Sequence, residues 1–151
     1  MNSKFVLLAA LASVVWGGLV ASAQGTSRSQ WDGVYTEAQA ARGKELYLRR
    51  CVLCHVDDLS GGEPEEFIPP APSLIDSKFD NYWNQRPVAE LYNYIHTKMP
   101  MDEPGALLPQ QVSDLISFIF NYRKYPAGTT ELPGNEAALK SIVFIAKKPG
   151  A

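Results

Sequence analysis

The sequence predicts an all-α fold, and three observations carry that prediction. Two segments repeat apolar residues at i, i+3, i+4 and i+7, the spacing of one helix face: Val88, Leu91, Tyr92 and Ile95, then Val112, Leu115, Ile116 and Ile119. A third segment opens at Thr36-Glu37-Ala38-Gln39, the pattern of a capping box, in which a Thr hydroxyl and a Gln amide satisfy orphan N–H groups. That segment leads into Cys51-Val52-Leu53-Cys54-His55, a motif that needs a helical turn to do its chemistry.

Along the chain, the first 23 residues read as a leader and not as part of the fold. Lys4 gives a short positive region, Phe5 to Val20 is apolar without a charge, and Ala21-Ser22-Ala23 fits a small-x-small cleavage site. The alternative is an uncleaved anchor, but the apolar run is shorter than the roughly 20 residues that span a bilayer. Cleavage after Ala23 leaves Gln24 first and no stable membrane span, and implies export to the periplasm. No cysteine follows the cut, which argues against a lipid anchor there.

The first helix is expected from about Glu37 to Arg50. Gly43 and Tyr47 share a face within it, and a glycine there costs about 1 kcal/mol of helix propensity. A close crossing of another helix would justify that cost, and Phe118 is expected to cross near Gly43 and Tyr47. The helix runs into C-x-x-C-H, the haem-attachment signature. Cysteines at i and i+3 lie on one side of a helix. Two thiols so placed reach the two vinyl groups on one porphyrin edge, and His55 is carried under the iron as the proximal ligand. Two other readings of the motif fare worse. A structural zinc site wants four N or S ligands, and beyond the leader the chain has two Cys and two His, Cys51, Cys54, His55 and His96, so it could barely assemble one. A thioredoxin-like dithiol would need alternating strands and helices, and the pattern is mostly helical.

From Asp57 to Pro72 the chain reads as loop. Asp57, Asp58, Glu63, Glu65 and Glu66 make it acidic: a solvated surface, or a docking patch for a basic partner. Phe67 to Pro72 holds three prolines and cannot be helical throughout. The second helix starts near Pro87, a good first-turn residue, and ends before Lys98-Met99-Pro100-Met101. Met99 precedes a proline, which biases it to extended backbone on a loop. A methionine opposite histidine raises the iron potential and fills the position where oxygen would bind. Met101 and His96 compete with Met99 for that role. The third helix starts near Pro109 and ends near Tyr122 to Lys124, where cations suit the C-terminal dipole.

These residues resemble the class I cytochromes c from about Trp31 to Lys124. The resemblance rests on Ala41-Arg42-Gly43 with Tyr47, Cys51 to His55, Pro72-Ser73-Leu74, Trp83, Met99-Pro100 and Asp114-Leu115-Ile116-Ser117-Phe118-Ile119. More narrowly, Thr97-Lys98-Met99-Pro100 followed by Glu103 to Leu107 is similar to the cytochrome domains that accompany bacterial quinoprotein alcohol dehydrogenases. The resemblance implies a class I cytochrome c fold, three or more helices around one covalent haem c, with Met99 as the second iron ligand. It implies that the Pro72 carbonyl accepts from the His55 ring, with Pro70 as the substitute, and that Trp83 contacts a haem propionate with Arg86 as a cation beside it. Trp83 also reads as an ordinary core aromatic. Two departures stand out: a longer, more acidic Gly61 to Ser73 loop, and a C-terminal extension, 125–151, with Ser141 to Ala146 as a short apolar run. The extension is expected to pack on the haem domain or on a partner.

Composition excludes some classes. With 14 basic and 16 acidic residues the net charge is −2, far from the basic footprint of a nucleic-acid binder. The expected function is a periplasmic mono-haem electron carrier, with no catalytic residues of its own. Its partners are redox proteins: a quinoprotein dehydrogenase as donor, an oxidase or another cytochrome as acceptor. The enzyme alternative, a peroxidase-like or ligand-binding haem protein, needs a labile sixth ligand, which Met99 opposes. A haem-based sensor would need an output domain.

Overall fold

The computed structural model describes residues 27–63 and 70–150. The leader expectation for 1–23, and Glu65 and Glu66 of the acidic loop, lie outside the described residues.

Helix α1 (Glu37–Arg50) starts where Thr36 accepts from the Gln39 N–H at 3.1 Å. Only half of the expected capping box forms. The Gln39 side chain turns inward instead, fully buried, and its amide both donates to and accepts from the Leu132 backbone, at 2.9 and 2.7 Å. A buried amide needs partners for both its ends, and this backbone supplies them. Helix α2 (Val52–His55) is a single turn that follows α1 almost directly. Helix α3 (Ser77–Trp83) is capped by Asp76, whose carboxylate accepts from Phe79 N–H at 2.8 Å. Helix α4 (Val88–Lys98) has Pro87 as its N-cap and buries Val88, Leu91 and Tyr92. Helix α5 (Pro109–Tyr122) carries proline in its first turn.

The pair α1–α5 is the centre of the molecule. At their crossing, a Cβ on Gly43 would overlap the Asp114 carbonyl and press on Phe118. Tyr47 lies against Phe118 with ring centroids 5.1 Å apart. The packing gain at this crossing is what offsets the propensity lost to glycine. Arg42 clamps the same junction: its Nε and Nη2 donate to the two Asp114 carboxylate oxygens at 3.1 and 3.0 Å, and Nη2 also reaches Glu131 at 2.9 Å.

α5 is buried on every side from Val112 to Phe120. The second cover is the C-terminal segment. Tyr125, Leu132, Leu139, Ile142 and Phe144 all belong to the core. Helix α6 (Glu136–Leu139) and a short parallel pairing of β1 (Arg28–Ser29) with β2 (Ile142–Val143) close this layer. Ser113 Oγ donates to the Pro133 carbonyl at 2.8 Å, so even the polar face of α5 is satisfied by the tail. Of the two expectations for the extension, packing on the domain itself is the one observed. No helix among the described residues is long and apolar enough to cross a membrane.

Candidate functional site

Cys51 ends α1 and begins α2. Its N–H donates to the Tyr47 carbonyl at 2.9 Å, and the N–H groups of Cys54 and His55 turn back to its own carbonyl at 3.2 and 2.9 Å. That single turn puts both cysteines and the histidine on one short helical unit. The two thiols are free. Burial pushes the Cys51 thiol up to about 11, the opposite of a dithiol oxidoreductase, where the thiolate is the attacking species.

After His55 the backbone turns sharply. Val56, a β-branched residue, has φ +51°, a left-handed conformation that costs on the order of 1–3 kcal/mol for a non-glycine residue. The Tyr47 hydroxyl, donating to the Val56 carbonyl at 2.7 Å, helps hold the turn. Gly62 then passes so close to the Cys54 carbonyl that a Cβ would lie 2.6 Å from its oxygen. This loop returns the chain to Pro72.

His55 Nδ1 lies 3.0 Å from the Pro72 carbonyl oxygen. A carbonyl can only accept, so Nδ1 carries the proton and Nε2 presents its lone pair. Burial lowers the ring's pKa below the usual histidine value, more than the Pro72 hydrogen bond raises it. A neutral imidazole with a free Nε2 is the form that binds a metal ion. Pro70 is exposed, and the bond falls on Pro72.

Met99 stops α4. It has extended backbone (φ −122°, ψ 146°), its N–H donates to Ile95, and its side chain is half-buried before a buried Pro100. Met101 is 63% exposed. His96 is half-buried on α4 with its ring beside Tyr92. Trp83 is buried, edge-on to Tyr82 and Tyr94 at 4.8 and 6.0 Å. Arg86 lies over the Tyr82 ring at 4.3 Å and pairs with Glu90 at 3.4 Å. Trp83, Arg86, Tyr94 and Lys98 line one open cleft. The structure therefore joins His55 to Pro72 by a hydrogen bond and groups Trp83 with Arg86, while Met99 stands at the end of a different helix.

A haem group needs an unhindered nitrogen ligand, free thiols and apolar walls. Cys51 and Val52 of the motif, and Leu74, Ile75 and Ile95 from two other segments, are half-buried against the core. Among the described residues no group of three or more His, Cys, Asp or Glu could hold a metal ion by itself. The residues fit haem.

The family described as Cytochrome C oxidase, cbb3-type, subunit III matches residues 38–119. That span is more than half of the 151 residues and contains Cys51, Cys54, His55, Pro72, Trp83, Arg86 and Met99. The chain belongs to this cytochrome c family. Its helices have the class I cytochrome c fold, and membership makes the chain a haem-based electron carrier with redox partners. Neither the curated proteins nor the solved structures hold a significant match to the chain. Within the family span, reading the sequence missed two features of this cytochrome. One is α3, announced by the Asp76 cap. The other is the Arg42–Asp114 pair, whose members stood in separate motifs 72 positions apart.

Proposed function

We propose that the chain carries one haem c, attached through Cys51 and Cys54, with His55 and Met99 as axial ligands, and that it moves single electrons in the periplasm between a dehydrogenase and a terminal acceptor. One observation carries the reading: the Pro72 carbonyl accepts a hydrogen bond from His55 Nδ1–H and leaves Nε2 free, at the end of a turn that holds two free thiols. Haem, when bound, supplies an iron that cycles between ferric and ferrous states. The chain's own residues do the rest. Pro72 fixes the His55 tautomer and raises the ring's basicity. Val52, Leu74, Ile75 and Ile95, half-buried against the core, are the apolar groups to shield the site from water. Trp83 and Arg86, which share a cleft, are the residues for a propionate: the indole N–H as donor, the guanidinium as countercharge partly answered by Glu90.

Met99 is favoured over Met101 because its side chain is half-buried and that of Met101 faces solvent. A thioether at the sixth position closes the site and limits reorganisation on electron arrival. The leader-like segment, with its small-x-small site at Ala21 to Ala23, supports export. The likeness of Thr97 to Leu107 to the cytochrome domains of quinoprotein dehydrogenases supports a dehydrogenase donor. The family's name, that of an oxidase subunit, supports an oxidase or another cytochrome as acceptor.

The carrier and enzyme readings part at the sixth ligand. Mixing the reduced protein with carbon monoxide and the oxidised protein with peroxide tests them. A carrier shows slow or no carbon monoxide binding and no peroxide turnover. Rapid binding with turnover would replace it with the peroxidase-like reading.

A further inference from the structure

The Pro72 carbonyl that holds His55 belongs to a short irregular stretch, 71–74, without helix or strand of its own. Ala71 exchanges two backbone hydrogen bonds with Gly62, both 3.1 Å, and the Leu74 N–H donates to the Leu59 carbonyl at 2.9 Å. Gly62 and Leu59 lie in the same loop, so these bonds tie the loop to itself. The Leu74 carbonyl is held differently. It accepts from Arg123 Nη1 at 3.0 Å. Ser73 adds only local bonds, its hydroxyl donating to the Leu59 carbonyl at 3.4 Å and accepting from the Ile75 N–H at 3.2 Å, so among the described residues the Arg123 bond is the one that ties the stretch to the end of α5.

Arg123 is itself fixed from several sides. Its side chain is 9% exposed, Nη2 pairs with Asp80 of α3, and Nε donates to the Tyr125 hydroxyl at 3.2 Å. The guanidinium also faces the rings of Phe79, Tyr125 and Phe144 at 5.3, 5.7 and 5.9 Å. Two of those rings belong to the C-terminal segment. A planar fork of fixed donors suits this junction in a way that a lysine cannot reproduce.

We propose that Arg123 is a positioning residue for the iron's histidine ligand, and that through it the C-terminal segment helps to set the reduction potential. The chain of contact runs from Tyr125 and Phe144 to Arg123, to the Leu74 carbonyl, to the Pro72 carbonyl and so to His55 Nδ1. Loosening Arg123 weakens the His55–Pro72 bond, makes the imidazole a poorer donor and favours ferrous iron. The inference rests on the reading of His55 as an axial ligand.

The test uses the full-length haem-loaded protein with Arg123→Gln, Arg123→Lys, the milder Tyr125→Phe, and, as a control, Arg42→Gln, whose partners Asp114 and Glu131 lie outside this chain of contact. Two quantities are read: solvent exchange of the His55 Nδ1 proton in the ferrous protein by NMR, and the midpoint potential. Arg123→Lys keeps the charge and loses the fork, so it is expected to speed exchange at least tenfold and raise the potential. Arg123→Gln does the same, and Tyr125→Phe moves both in the same direction by less. Arg42→Gln lowers stability and leaves both unchanged. If the Arg123 variants lose stability but keep wild-type exchange and potential, Arg123 is merely structural and the inference fails. A lowered potential in Arg123→Gln with Arg123→Lys unchanged means that charge alone acts, and also overturns it. If the unaltered protein shows no His55 ligation, the axial-ligand reading has failed and takes this inference with it; wild-type ligation with inert variants sinks this inference alone.

Discussion

Single atoms decide what this chain can bind. The Pro72 oxygen fixes which nitrogen of His55 is bare, and in the proposed function Met99 closes the sixth position. A thioether ligand stabilises ferrous iron and raises the potential. Met99→Ala should therefore lower the midpoint potential, abolish the iron–methionine charge-transfer absorption of the ferric protein and open the iron to carbon monoxide. Met101, 63% exposed, should do little when changed to alanine. The visible spectrum and a redox titration of both variants check this. A native-like Met99→Ala beside a damaged Met101→Ala would move the ligand by two residues.

Among the elements, the α1–α5 crossing bears most on whether the site forms, because α1 delivers Cys51 and α5 ends at Arg123. Gly43→Ala adds a methyl group where the Asp114 carbonyl and the Phe118 Cβ already sit. Alanine regains about 1 kcal/mol of helix propensity, but forcing the helices apart costs typically 1–3 kcal/mol or more. A net loss of stability is expected, read as a lower urea midpoint. A stabilised Gly43→Ala protein would mean that the helices do not cross so closely. The same elements show how far the sequence was legible. Apolar spacing located α4 and α5, and Thr36 located the start of α1, because those signals are local. The Gln39 half of the capping box did not form, because a Leu132 backbone 93 positions away offered a better pairing. α3 is only seven residues long and lacked a repeat to reveal it. The grouping of Cys51, Cys54 and His55 on one turn was readable from spacing and the Pro72 acceptor from the family resemblance, whereas Arg123 became visible only once Leu74, Asp80 and the tail were brought together.

At the scale of the molecule, the tail is part of the core. Tyr35 donates its hydroxyl to the Tyr125 carbonyl at 2.7 Å, and Phe120 packs against both Tyr125 and Phe144. Burying one large apolar side chain contributes about 1.5–3 kcal/mol, so losing Tyr125, Leu132, Leu139, Ile142 and Phe144 removes an amount comparable to the roughly 5–15 kcal/mol that holds a whole domain folded. A chain ending at residue 124 is expected to lose its cooperative urea transition. A truncated chain that unfolds cooperatively at the full-length midpoint would show that the tail is an accessory layer.

The proposed function depends above all on the Cys51 to His55 turn holding one haem covalently. Acid–acetone extraction of the exported, full-length protein, followed by intact mass, addresses it most directly. The haem is expected to stay with the polypeptide, one per chain, and Cys51→Ala combined with Cys54→Ala to abolish the attachment. Haem that extracts freely, or a double variant that keeps covalent haem, would contradict it.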